Sequence, residues 1–166
     1  MNIVEHDWAW PNPDGFETRQ STLYFIVHHT DGPQNQDTNE IFAEHVKNGW
    51  NGIGYHFVIK GDEKGTIVRG RPLESIGAHA LGLNYCSIGI ALEGDFESSE
   101  SSEVPTDAQI ASLKGLLKEL YTEYPNAKII GHRDVADIVE DAGDSTACPG
   151  DTLYNMLPDI IKQVQA

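Results

Sequence analysis

Hydrophobic positions along this chain fall into short runs parted by turn-forming residues, and their spacing changes from one run to the next. Leu23 to His29 is rich in aromatic and β-branched residues on both alternating faces, the pattern of a central strand covered on each side, and Asp31-Gly32-Pro33 ends it. From Thr38 the spacing turns helical through Ile41, Phe42, Val46 and Trp50, with Thr38 or Asn39 as the cap and Gly49 as the stop. Ile53 to Lys60 and Gly65 to Arg69, joined by Gly61-Asp62-Glu63-Lys64, read as a hairpin. Ser87 to Leu92 is a further strand. Thr106 and Gln109 form a capping-box pattern ahead of the apolar stripe Ile110, Leu113, Leu116, Leu117 and Leu120, and Pro125 stops that helix. Lys128 to Gly131 is a short buried strand leading into His132, and Asp151 or Thr152 caps a last helix running toward Val164.

These elements predict a single α/β domain, a central mixed β-sheet of about five to six strands covered by about three helices. Residues 1–21, broken by Pro11, Pro13 and Gly15, read as an irregular lead-in draped over a domain spanning residues 22–166. No repeat or linker divides the chain. Glu97 to Glu103, rich in Ser and Glu, reads as a solvated acidic loop.

Composition narrows the partners. With 166 residues the chain can bury a sizeable core without a disulfide scaffold, and 11 Lys and Arg against 26 Asp and Glu give a formal charge of -15. That charge repels nucleic acid and anionic lipid. The start of the chain, Glu5-His6-Asp7-Trp8, has neither the basic nor the apolar segment of a secretory signal, and no run reaches membrane-spanning length. The expectation is a monomer, made in the cytoplasm and not inserted in a membrane. The two cysteines lie in unlike settings: Cys86 beside the run Ile88 to Leu92, as a packed thiol, and Cys148 before Pro149-Gly150, in a loop suited to a ligand or a reactive thiol.

Three groups stand where strands end or loops begin: His28 or His29, His132, and Cys148. Two imidazole nitrogens and a thiolate, with a fourth position left to water, match an open zinc site of catalytic type, which activates water and polarises a carbonyl. Adjacent His28 and His29 point to opposite faces of a strand, so only one of them can join the set.

The segments Phe25-Ile26-Val27-His28-His29-Thr30, Gly49-Trp50-Asn51-Gly52-Ile53-Gly54-Tyr55-His56-Phe57, Gly77-Ala78-His79-Ala80, Asn84 with Ser87-Ile88-Gly89-Ile90, Gly131-His132-Arg133-Asp134-Val135 and Ala147-Cys148-Pro149-Gly150 occur in that order. Together they resemble the zinc-dependent N-acetylmuramoyl-L-alanine amidases, the family of amidase-type phage lysozymes and peptidoglycan recognition proteins, over roughly residues 22 to 160. The resemblance implies one Zn2+ held by His28, His132 and Cys148, with Tyr55 stabilising an oxyanion and His45, Trp50, Arg71, His79 and Asn84 along a groove for peptidoglycan or muropeptide. It implies hydrolysis of the amide between the lactyl group of N-acetylmuramic acid and L-alanine, on the cell wall or its fragments, as an endolysin or a recycling or remodelling enzyme.

The chain departs from the family pattern in three places. Thr146 stands where phage enzymes of this kind tend to carry lysine, so only a hydroxyl supports the oxyanion there. Ala91 occupies a position where some relatives place a catalytic glutamate, and Glu93 lies one pleat further on. The connection from Ala136 to Asp144 is long and acidic, with Asp137, Glu140, Asp141 and Asp144 read as a solvated rim. Two rival readings are a peptidoglycan-binding module without catalysis, which the retained cysteine opposes, and a thiol hydrolase using Cys148 as nucleophile with a His base.

Overall fold

The computed structural model describes residues 1–97, 103–143 and 145–166. Most of the predicted acidic loop and Asp144 thus lie outside the described residues. One six-stranded mixed sheet runs through the molecule in the order β1-β4-β3-β5-β2-β6, with β1 Ile3–Val4, β2 Tyr24–His29, β3 Phe57–Ile59, β4 Ile67–Arg69, β5 Ser87–Leu92 and β6 Lys128–Gly131. The hairpin β3–β4 is antiparallel, and β2 lies parallel between β5 and β6. The helices are α1 Thr38–Lys47, α2 Asp107–Glu123 and α3 Asp151–Gln165.

Alternation along the central strands separates two chemistries. Phe25 and Val27 of β2 and Ile88, Ile90 and Leu92 of β5 join the main core with Leu113, Leu117, Leu153 and Leu157 of α2 and α3. The opposite face carries Ile26 and His28 of β2 and Ser87, Gly89, Ala91 and Glu93 from β5 onward. It is covered by α1, whose Ile41 packs on Val58 and Val68, and by the loops around Ala80 and Leu83.

The capping box on α2 forms as the sequence predicts: Thr106 Oγ1 accepts from Gln109 N–H at 3.0 Å, and Gln109 Oε1 accepts from Thr106 N–H at 3.1 Å. The other two caps differ from expectation. Asp37, rather than Thr38 or Asn39, caps α1 by accepting from Asn39 N–H at 2.9 Å. Thr38 instead turns inward to Glu93, donating to Oε1 at 2.7 Å. At α3 the cap is Gly150, with φ 87°, because a Cβ there would stand 2.3 Å from the Phe96 carbonyl; Asp151 falls in the first turn, where its charge meets the helix dipole. Trp50 also leaves the predicted helical stripe. The helix ends at Lys47, Gly49 turns the chain at φ 89°, and the indole sits exposed on the loop beyond.

The first 21 residues are mostly irregular but firmly held. Ile3 and Val4 add a parallel strand beside Ile67 and Val68, and the Trp8 ring stacks on Phe42 at 4.8 Å between centroids while its Nε1 donates to the Arg69 carbonyl at 2.9 Å. Asn12 and Asn51 exchange two hydrogen bonds of 2.8 and 2.7 Å, tying this segment to the loop that carries Trp50.

Glu93 is fully buried, its Oε2 finds no partner, and burial pushes its carboxyl up to about 7 against the Thr38 hydrogen bond. Between the unfolded pKa of about 4.3 and that value the native state holds a proton the unfolded chain has lost. The contribution is therefore complete at low pH and disappears as pH rises through about 7. Glu93→Gln should remove this slope: urea midpoints at pH 5 and pH 8 should converge relative to the parent by up to about 3 kcal/mol of stability. Equal pH slopes in the two proteins would contradict it.

Candidate metal centre and its cleft

The paired register of β2 with β6 ends at Val27 opposite Gly131, which puts His28, still paired with Ala91 of β5, beside His132, the first residue past the end of β6. Their ring centroids are 4.6 Å apart. Cys148 arrives from the loop before α3, held by Arg133 N–H, which donates to the Cys148 carbonyl at 2.8 Å. One ring nitrogen of each histidine and the Cys148 Sγ all lie within 4.8 Å of one another, with Sγ 3.7 Å from His28 Nδ1. Two ligands at about 2.0 and 2.3 Å from a tetrahedral ion stand about 3.5 Å apart, so this spacing fits a single metal.

The electrostatics fit as well. Burial, reinforced by the neighbouring imidazoles, holds His28 well below the ordinary histidine range, and burial also lowers His132. Both rings are neutral at physiological pH, with lone pairs free for a cation. Burial pushes the Cys148 thiol up to about 12, so without a cation it keeps its proton, which opposes a free nucleophilic thiolate. A dry pocket of this kind favours the thiolate only when a positive ion shares it.

A second cluster, His29, Asp31 and Glu97, has comparable spacing. Its hydrogen bonds argue against a metal. His29 Nδ1 accepts from Phe96 N–H at 3.1 Å, so the proton of the neutral ring sits on Nε2, 4.0 Å from Asp31 Oδ1. A metal could not use that nitrogen without displacing its proton, and the cluster is left with two exposed carboxylates.

Tyr55 lies across the cleft from Cys148, its ring 5.1 Å from that of His28. Burial, then the nearby Cys148, raises its phenol, which stays protonated as a donor. Thr146 lines the same cleft of about 250 Å³ and its Oγ1 accepts from Cys148 N–H at 3.1 Å, leaving the hydroxyl proton free to donate. A second cleft of about 440 Å³ shares Trp50, Ala78, His79 and His132 with the first and continues past Leu81 and Asn84 to Ala142 and Gly143.

The other groove residues sort by their bonds. His45 is buried and lines neither cleft; its ring is tilted against those of Trp50 and Tyr55, 4.6 and 5.4 Å between centroids, and its Nδ1 accepts from Gly54 N–H, so Nε2 carries the proton; burial lowers its pKa to about 4. Asn84 reaches the second cleft, but its Oδ1 accepts from the backbone N–H of both His79 and Ala80. His79 borders both clefts with both ring nitrogens occupied. Arg71 departs from the expected groove role. It is buried outside both clefts, with Nε donating to the Ile53 carbonyl and Nη1 to the Ile76 carbonyl. His56 is buried between backbone partners Ser75 and Gly89.

Arg133 was not singled out by residue type. Its guanidinium contacts the Ala147 carbonyl and, at 2.9 Å, the Asp151 carboxylate, gripping the Cys148 loop from both sides. Its place directly after His132 was the available signal. In the acidic connection Asp137, Glu140 and Asp141 are exposed, while Val139 and Ala142 pack on the cluster of Ile26, Leu83 and Val135. Among the described residues no helix is long and apolar enough to cross a membrane.

The chain is similar to known proteins in sequence and in fold. Residues 18–151 match the family model described as N-acetylmuramoyl-L-alanine amidase. The endolysin of Enterobacteria phage K11 is 39% identical over 124 residues, covering 73% of this chain and 81% of the relative. Among solved structures, the N-acetylmuramoyl-L-alanine amidase LysC from Clostridium intestinale URNW superposes with a TM-score of 0.82 at 32% identity, covering 100% of this chain and 99% of that one. A Drosophila PGRP-LB mutant in complex with tracheal cytotoxin superposes at 0.74 with 30% identity, over 93% and 92% of the two chains.

Elemental analysis of protein equilibrated with zinc and desalted should find one ion per chain. His28→Ala should abolish it, whereas the double variant Asp31→Ala, Glu97→Ala should still bind one; an ion that survives His28→Ala and is lost in the double variant would reverse the assignment of the two clusters.

Proposed function

This chain belongs to the N-acetylmuramoyl-L-alanine amidase family, and from that premise we propose that it cuts the lactyl–L-alanine amide of peptidoglycan with one zinc ion held by His28, His132 and Cys148. The observation that carries the proposal is the convergence of two neutral imidazoles and a buried sulfur within 4.8 Å at the floor of an open cleft. When bound, zinc supplies Lewis acidity that activates water at neutral pH and polarises the scissile carbonyl.

The chain's own groups supply the rest. Tyr55, kept protonated by burial, donates to the carbonyl oxygen as it gains negative charge. Thr146 adds a second, weaker donor in place of a cation. Trp50, its ring set at an angle against the buried His45, gives an exposed apolar wall for the substrate. Water adds through its oxygen to the carbonyl carbon, the C–N bond then breaks to leave the lactyl carboxylate, and a proton from that water leaves on the L-alanine amine. No carboxylate of β5 serves as base in this reading, because Ala91 pairs with His28 in register and Glu93 is engaged by Thr38.

The substrate reading draws support from a related protein in complex with tracheal cytotoxin, and the endolysins among the relatives support action on the cell wall. We take the working unit to be a monomer. The full ligand set favours turnover over a binding module.

Digestion of defined muropeptides by the zinc-loaded protein, read by mass spectrometry, should release intact stem peptides with a free L-alanine amine. His28→Ala and Cys148→Ser should be inactive; release of stem peptide by either would sink the proposal. Tyr55→Phe should lower kcat by about 10²–10³ with little change in KM, as removal of a donor used only in the transition state does. An unchanged kcat would remove Tyr55 from this role.

A further inference from the structure

His79 borders the cleft yet gives it no polar atom. Its Nδ1 is 2.9 Å from His28 Nε2, and its Nε2 is 3.3 Å from Ser87 Oγ. The direction of this chain of bonds is set from its far end. Ser87 donates its single hydroxyl proton to the Leu83 carbonyl at 2.7 Å, so toward His79 it can only accept. His79 therefore carries its proton on Nε2 and presents a bare Nδ1. His28 donates its Nε2–H to that lone pair and keeps its own lone pair on Nδ1, the nitrogen 3.7 Å from Cys148 Sγ.

We propose that His79 is a positioning residue that fixes the tautomer and ring plane of His28, so that Nδ1 faces the metal, with Ser87 and Gly89 of β5 as its cradle. The inference rests on the metal centre proposed above and goes beyond it by moving His79 from the substrate groove to support of a ligand.

The strand sequence Ser87-Ile88-Gly89-Ile90 follows from this placement. Ile88 and Ile90 feed the main core, while Ser87 and Gly89 face the ring. A Cβ on Gly89 would lie 2.5 Å from His79 Cγ and 2.7 Å from Nδ1. The ring cannot retreat, because the Asn84 side chain holds the His79 and Ala80 N–H groups at 2.9 and 2.8 Å and His56 stands behind, 5.7 Å between centroids. Outer partners of this kind raise the basicity of a metal-bound imidazole and spare the ion the cost of ordering it.

The test is zinc affinity, by competition with a chromophoric chelator, for the parent, His79→Ala and His79→Asn, each checked for folding by circular dichroism without metal. His79→Ala should bind zinc about 10–100-fold more weakly. In His79→Asn the amide oxygen can stand near the former Nδ1 and accept from His28, so most of the affinity should return. In the zinc-loaded parent the His28 Nε2–H should give a slowly exchanging proton resonance that His79→Ala loses and His79→Asn keeps. Parent-like affinity in His79→Ala would overturn the proposal, as would an equal loss in both variants. If His79→Ala does not fold, the resonance in His79→Asn decides: persistence supports the relay, absence overturns it. A parent that binds no zinc would overturn the metal centre itself, a separate result from a zinc-binding, active parent indifferent to His79.

Discussion

The parallel pairing of β2 with β6 is the constraint on which the rest of the molecule depends. Because Val27 stands opposite Gly131, the two histidines that follow lie at the same height, His28 still within β2 beside β5 and His132 just past the end of β6. A one-residue slip would turn one of them into the apolar core, since the side-chain period of a strand is two. The third donor needs more than register. Cys148 reaches the same point because the backbone of Arg133 holds its carbonyl and the Arg133 guanidinium bridges Ala147 and Asp151. Arg133 thus connects the end of β6 to the start of α3 around the site.

Desolvation gives these donors their chemical state. It keeps His28 and His132 neutral, and leaves Tyr55 and Cys148 protonated in the absence of a cation. A single buried positive ion would reconcile the set, taking the lone pairs of the imidazoles and making the sulfur a ligand while leaving the phenol a donor. The distinction between the two candidate clusters comes from the same reasoning applied one bond further out. His28 turns its protonated nitrogen away from the sulfur toward His79, whereas His29 spends its lone pair on the Phe96 amide.

Strand β5 shows how one sequence meets two demands. Its isoleucines and Leu92 fill the core against α2 and α3, while Ser87 and Gly89, alternating with them, make room for a ring that a larger side chain would displace. Glu93 ends the same face with a carboxylate turned into the N-terminus of α1 instead of the metal centre. Between Gly89 and Glu93 the polar face of the strand passes from cradling the His79 ring to holding a helix.

Much of this was legible along the chain. The apolar runs announced the central strands, Thr106 and Gln109 announced α2, and the strand-end histidines with a loop cysteine announced a donor cluster spaced to hold a metal, because period, capping chemistry and donor type are local properties. The choice of His28 over His29 came only from resemblance; in the structure their different hydrogen-bond partners supply the reason. The caps of α1 and α3 moved to Asp37 and Gly150 because Thr38 was needed by Glu93 and because the backbone at Phe96 lies too close for a side chain. Arg71 looked like a groove cation and is a buried clamp on two carbonyls, and His79 looked like a substrate contact and spends both ring nitrogens on His28 and Ser87. Sequence by itself determined which residues could carry charge, protons or metal. Tertiary structure decided which atom of each faces which neighbour, since a ring nitrogen's role depends on hydrogen-bond partners as far as 67 positions away, and no local pattern encodes them.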